Sequence, residues 1–173
     1  MMLATEGQTI DGQITIISGG QTGADRAALD FAIRTGLPHG GWCPRGRKAE
    51  DGPLAAQYQL QESTSRRYDQ RTRWNVRDSD ATLLLTIDAQ LTGGTGLTAQ
   101  VAQRLEKPWL HLSREEHPHP QTAADAVREF LARHQVERLN IAGPRASQAP
   151  EIADYVDAVL ACTCSKAEGI QEK

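Results

Sequence analysis

The sequence predicts one α/β domain with a mainly parallel sheet flanked by helices on both faces, and three observations carry that expectation. Uncharged apolar runs of strand length recur along the chain, among them Ile14 to Ile17 and Thr82 to Ile87 (TLLLTI), as strands buried on both faces require. Stretches with apolar residues at helical spacing separate these runs. Two of the runs end in glycine clusters that open directly into a helix, Gly19, Gly20 and Gly23 after the first and Gly93, Gly94 and Gly96 after the second. Alternating β and α units of this kind make a Rossmann-like sheet.

Taken in order, residues 1 to 12 and 165 to 173 are polar and are expected to be flexible ends around a single ligand-binding domain, 13 to 164. After the first strand and its glycine turn, Ala27, Ala28, Phe31 and Ala32 fall at helical spacing, and Gly36 supplies a left-handed stop. Leu37 to Pro44 reads as a short strand running into a loop with Trp42, Arg45, Arg47 and Lys48, and the loop continues through Pro53. Tyr58 to Glu62 suits a brief strand, and Tyr68 to Arg77 a helix rich in arginine. The glycines after Thr82 to Ile87 open a helix with Leu97, Val101 and Leu105 on one face. Trp109 to Leu112 is the next strand. Thr122 is placed to cap the following helix, with Asp125 completing a capping box. Leu139 to Ala142 is the last strand, and a final helix starts near Pro150 with Ile152, Val156, Val159 and Leu160 facing inward.

Composition narrows the function classes. At 173 residues the chain suits one domain. Its aromatic share of 5% argues against a base-stacking surface, and its net charge of −3 gives no general pull toward nucleic acid or a membrane surface. No apolar run reaches the roughly 18 residues of a membrane helix, and the N-terminus lacks the features of a secretory signal, so a cytoplasmic protein is expected. Cys43, Cys162 and Cys164 fit reduced, non-structural thiols. His117 and His119 form a His-x-His pair with no third ligand near in sequence, and no metal site is expected. Charge is unevenly spread. Between Arg45 and Arg77 stand eight basic residues against four acidic ones.

These features point to a small anionic ligand. A strand, glycine turn and helix aim unpaired N–H groups and the positive end of a helix dipole at one corner, which suits phosphate. Two such corners meet at the switch point of a doubly wound sheet if their strands are neighbours. Arg45, Arg47, Lys48 and Arg73 can surround the anion, since guanidinium groups hold two oxygens at once. Trp42 can stack on a planar ring or plug the core. Asp25, at the first helix start, is kept ionised by the dipole or pairs with Arg26 or another arginine. Asp78 and Asp80 can grip a sugar hydroxyl or simply cap a turn.

The blocks SGGQTGADRAALD (Ser18 to Asp30), GGWCPRGRKAEDGP (Gly40 to Pro53), RTRWNVRDSDATLLL (Arg71 to Leu85), GGTGLT (Gly93 to Thr98) and NIAGPRAS (Asn140 to Ser147) together resemble the molybdenum cofactor carrier proteins. That family lies within a Rossmann-like group that also holds the lysine decarboxylase-like phosphoribohydrolases. The resemblance implies a homo-oligomer, a dimer or tetramer, that holds molybdenum cofactor, or molybdate and a related phosphate-bearing ligand, for a molybdenum-enzyme acceptor. It implies amide contacts from Gly19, Gly20, Gln21, Thr22, Gly23 and Ala24 and from Gly93, Gly94, Thr95 and Gly96. It further implies hydroxyl contacts from Thr22, Thr95 and Thr98, with Asp25, Asn75 and Asp80 completing the ligand-binding set within the matched motifs.

The related hydrolases resemble P-G-G-x-G-T-x-x-E at the second corner, where the glutamate is catalytic. Here the same frame runs from Thr92 to Gln100, and an amide replaces the carboxylate. Gln100 has no proton to give or take near neutral pH, so the resemblance implies binding without turnover and no catalytic residue is assigned. Two other readings stay open. One is an enzyme acting on a nucleotide or nucleotide sugar, with Asp25 or Asp80 in place of the glutamate. The other is a nucleotide sensor that signals to a partner.

Overall fold

The computed structural model describes Ile10 and residues 13 to 165. The expectation of flexible ends otherwise falls outside these residues. Ile10, within the segment expected to be loose, is instead buried in the main core.

The chain alternates strand and helix as expected. β1 (Thr15–Ile17) leads through the first glycine turn into α1 (Ala24–Thr35). Gly36 stops that helix at φ 73°, and the Leu37 amide folds back to the Ala32 carbonyl. The expected strand over Leu37 to Pro44 is two pieces in different sheets. β2 (His39–Gly40) pairs with β1, whereas β3 (Trp42–Cys43) pairs with β6 (Gln61–Glu62). Gly41 makes the break: its φ is 130°, and a Cβ there would stand 2.2 Å from the Ser18 carbonyl oxygen. Between them, β4 (Lys48–Ala49) and β5 (Gly52–Pro53) form a small antiparallel hairpin where the sequence reading had only loop.

α2 (Tyr68–Arg77), β7 (Ala81–Thr86), α3 (Gly93–Arg104) and β8 (Trp109–Ser113) follow where the periodicity puts them. α4 (Pro120–His134) starts two residues before Thr122. Proline's fixed φ takes the first helical position, so the capping box is not formed. The Thr122 hydroxyl donates to the His119 carbonyl instead, and Asp125 meets Gln121 and Arg128. β9 (Arg138–Ala142) and α5 (Ile152–Cys164) close the fold.

The five-stranded sheet is parallel throughout, in the order β2-β1-β9-β7-β8. From β1 the chain moves outward one way to β2; from β7 it moves outward the other way to β8. Right-handed crossovers then force α1 and α3 onto opposite faces. Accordingly α1, α5 and α4 pack in one layer and α2 with α3 in the other. The corners after β1 and β7 are therefore not on neighbouring strands. The last strand, β9, lies between them, and its exit loop joins both. Ile16, Phe31, Leu83, Leu131, Ile141 and Val156 are among the fully enclosed side chains of the main core. No described helix is long and apolar enough to cross a membrane.

Candidate functional site

The carboxyl ends of β1, β9 and β7 open on a cleft of about 80 Å³, with Gln21, Asp25, Arg71, Thr95, Thr98 and Arg145 in its wall. The cleft brings both glycine corners together, but they do not contribute alike.

The first corner is closed by the protein's own anion. Asp25 is 3% exposed, and its Oδ2 lies 2.9 Å from Arg71 Nη1 and accepts the Gln21 amide at 3.4 Å. Gly19 is needed for this pairing, because a Cβ there would stand 1.7 Å from Arg71 Nη1. The Gln21 Oε1 accepts the amides of Thr22 at 3.0 Å and Glu50 at 2.9 Å, and the Ala24 amide donates to the Pro144 carbonyl at 3.1 Å. The Thr22 hydroxyl is hydrogen-bonded to Glu50 and accepts the Ala146 amide. The contacts expected of Gln21, Thr22 and Ala24 toward a ligand are thus already made inside the protein. Asp25 pairs with Arg71, while Arg26 goes to Asp51 and to the Gly20 carbonyl. Burial pushes the Asp25 carboxyl above its ordinary range, against the pull of Arg71 and the Gln21 and Gly19 amides. That reverses the helix-dipole expectation, since desolvation outweighs the dipole at a site this enclosed.

The second corner is open. α3 begins after Thr92 with no side-chain cap, Gly93 adopts φ 54°, and nothing lies within 4 Å of where a Cβ would stand on Gly93 or Gly94. The first amides of a helix have no intrahelical acceptor, so this end faces the cleft with donors and a positive dipole. Thr95 and Thr98 are buried beside it; the Thr98 hydroxyl donates to the Gly94 carbonyl at 2.8 Å and keeps its acceptor capacity. Gly96 serves packing against Leu91.

Of the four cations the sequence suggests, only Lys48 stands beside the cleft, over Tyr68, while Arg71 and Arg145 line it. Lys48, Arg71 and Arg145 surround the ring of Tyr68, with their charged groups 5.0, 5.8 and 5.5 Å from its centroid. Arg145 also stands 4.0 Å from Glu50, which holds the rim by accepting from the Ser147 hydroxyl and amide. Gln21 Nε2 is buried without a hydrogen-bond partner, and Gln21 lines the cleft. Tyr68, Arg71, Arg145 and Gln148 are the site residues that sequence reasoning missed. Tyr68 and Arg71 stand three apart on α2 and so share a face, a signal that spacing offered.

Several expected residues lie elsewhere. Arg47 is spent on the main chain: its guanidinium donates to the carbonyls of Leu54, Ala55, Tyr58 and Leu60. Arg45 is exposed, with its amide bound to the Ser65 carbonyl. Arg73 is on the outer side of α2 beside Trp74 and Leu105. Trp42 and Asn75 bond each other reciprocally through main chain and amide, and the Trp42 indole donates to Asp78 at 2.7 Å. Asp80 accepts the amides of Glu137 and Arg138 where β9 begins, at the opposite edge of the sheet. Gln100 is exposed and is not part of the cleft wall. Gly20 and Gly23 serve packing. A Cβ on Gly20 would meet Leu54 and Leu60 at 2.8 Å, and one on Gly23 the Pro144 oxygen at 2.4 Å.

A model of the circularly permutated YpsA SLOG family matches residues 16 to 164. A crystal structure named "Putative molybdenum carrier protein", from Syntrophus aciditrophicus SB, is 44% identical with a TM-score of 0.85, over 89% of this chain and 97% of that one. No curated protein matches.

Proposed function

The chain belongs to the circularly permutated YpsA SLOG family, and from that premise we propose that it binds and carries an anionic, phosphate-bearing small molecule, with molybdenum cofactor as the cargo. The observation that carries this reading is the trio of Lys48, Arg71 and Arg145 around Tyr68, set against the uncapped start of α3. A phosphate or oxo-anion placed there meets helix amides on one side and two exchangeable cations, Lys48 and Arg145, on the other. The name of the 44% identical crystal structure supports molybdenum as the cargo's metal. Carrying rather than turnover is supported by Gln100, an exposed amide outside the cleft wall where the related hydrolases carry a glutamate, and by Asp80, which strand amides hold away from the cleft. The protein acts in the cytoplasm as a homo-oligomer that hands its cargo to a molybdenum enzyme.

The test is native mass spectrometry with metal analysis on protein purified from cells that make molybdenum cofactor. Molybdenum together with a pterin mass is the expected result, and the same spectrum gives the oligomer. A nucleotide mass without molybdenum overturns the cargo assignment. Lys48→Ala and Arg145→Ala each lower the retained molybdenum; full retention in both overturns the site.

A further inference from the structure

A second cavity of about 140 Å³ adjoins the cleft, sharing Thr95 and Gln148 as a common wall. Its chemistry is the reverse of its neighbour's. No cation lines it, and its one ionisable side chain is Asp88, accompanied by Thr86, Gln90 and Thr92. The loop that carries Asp88 is firmly tied. The Thr86 hydroxyl donates to the Asp88 carbonyl at 2.7 Å and therefore accepts from His111 Nε2, also at 2.7 Å. Its neighbours are held from the turn after β8: the Ala89 amide donates to the Glu115 carboxylate at 2.9 Å, and the Glu115 amide to the Ile87 carbonyl. Yet the Asp88 carboxylate itself has no ion pair or hydrogen bond among the described residues. The main chain is fixed, and Asp88 stands exposed at the mouth of the cavity.

A bare anion in the cationic cleft gains nothing from a carboxylate next door, since like charges repel. A ligand spanning both cavities must therefore be dipolar, with its anion at α3 and N–H donors at its far end. An ionised carboxylate accepts two parallel N–H bonds and offers none. Among heterocycles, that demand is met by an edge with a ring N–H beside an exocyclic amino group. An adenine edge, with an acceptor beside its donor, leaves one oxygen facing a lone pair.

We infer that Asp88 is the specificity residue of a second subsite, which reads the 2-amino-4-oxopyrimidine edge shared by pterins and guanine while the phosphate end lies at α3. The inference rests on the reading of the cleft as an anion site, and its test separates the two. The full chain is titrated calorimetrically with GMP, IMP, AMP and ribose 5-phosphate at one salt concentration, then again as Asp88→Asn. GMP binds at least tenfold more tightly than the other three, and Asp88→Asn removes that advantage while leaving ribose 5-phosphate binding unchanged. Equal affinity for the three nucleotides, or a GMP preference that survives Asp88→Asn, overturns the subsite and leaves the anion site standing. If none of the four phosphate esters binds, the anion site falls and the subsite falls with it.

Discussion

Asp25→Ala is the sharpest test of the closed first corner. The Asp25 side chain is 4% exposed and Arg71 12%, with 2.9 Å between them. Truncating the carboxylate leaves a guanidinium enclosed without its counter-charge, the situation in which breaking a buried pair costs about 3 to 5 kcal/mol. Part of that is returned, because burial already disfavours the ionised Asp25, and the lower end, about 3 kcal/mol, is expected. For a chain of this size each kcal/mol moves Tm by about 2 to 4 °C, so the variant melts about 6 to 12 °C below the native protein. The assay is thermal unfolding by circular dichroism in chloride buffer. Two companions identify the cause. Asp25→Ala with Arg71→Met restores most of the loss, since no unpaired charge remains. Sulfate raises the Tm of Asp25→Ala more than that of the native protein, because the vacated corner offers helix amides and a free guanidinium. A single variant melting within about 2 °C of native, or a double variant as unstable as the single, refutes the reasoning.

Arg47→Ala loses bonds to four carbonyls and destabilises by about 2 to 4 kcal/mol, read as a drop in the urea midpoint; Arg47→Lys does not rescue it, since one ammonium cannot reach all four. Arg73→Ala, outside the cleft, leaves both the retained molybdenum and, within about 0.5 kcal/mol, the stability unchanged. Gly143→Ala places a Cβ 2.2 Å from the Leu85 oxygen and 2.6 Å from the Ala24 Cβ; the 143 to 148 loop must shift, at a cost of at least about 2 kcal/mol in thermal unfolding. Hydrogen bonds from the Ser147 and Thr22 side chains hold the Glu50 carboxyl below its ordinary range. A lowered folded-state pKa means that the Glu50 contribution is complete above the unfolded value and is lost as pH falls through the folded one. Hydrogen exchange at residues 44 to 53 therefore accelerates below about pH 4.5 in the native protein, and Glu50→Gln removes that pH dependence.

What the sequence makes legible here is what repeats locally. Helical spacing places α2 at Tyr68–Arg77, and Gly36 marks the end of α1, because both depend on neighbours within a few positions. The two-residue strands β3 and β6 fall within stretches read as strand, Leu37 to Pro44 and Tyr58 to Glu62, but their short extent and their separate sheet are set by pairing across the chain, with Trp42 against Gln61. The site divides the same way. Glycine clusters announce two corners, but the plug in the first joins Asp25 to an arginine 46 positions away. Arginines within a basic stretch look alike in sequence. Tertiary contacts send Arg47 to the main chain, Arg73 outward and Arg71 into the cleft. Asp80 and Trp42 carry functional residue types in matched motifs, yet their hydrogen bonds hold strand and helix ends together.

The placement of β9 accounts for how unequal the corners are. Because this last strand inserts between β1 and β7, its exit loop reaches α1 and the cleft at once. Pro144 and Ala146 close the α1 corner through the Ala24 amide and the Thr22 hydroxyl, while Arg145 between them is carried over Tyr68. One loop thus removes the donors of the first corner and adds a cation to the second. On the proposed reading, an anion entering the cleft would find the place at α1 already taken by Asp25 and turn to α3, where Lys48 and Arg145 remain as exchangeable charge. A sheet in which β1 and β7 were neighbours would offer two equivalent corners and no reason to prefer either. Inserting β9 breaks that equivalence, so the proposed ligand would lie with its anion at α3 and its far end toward Asp88.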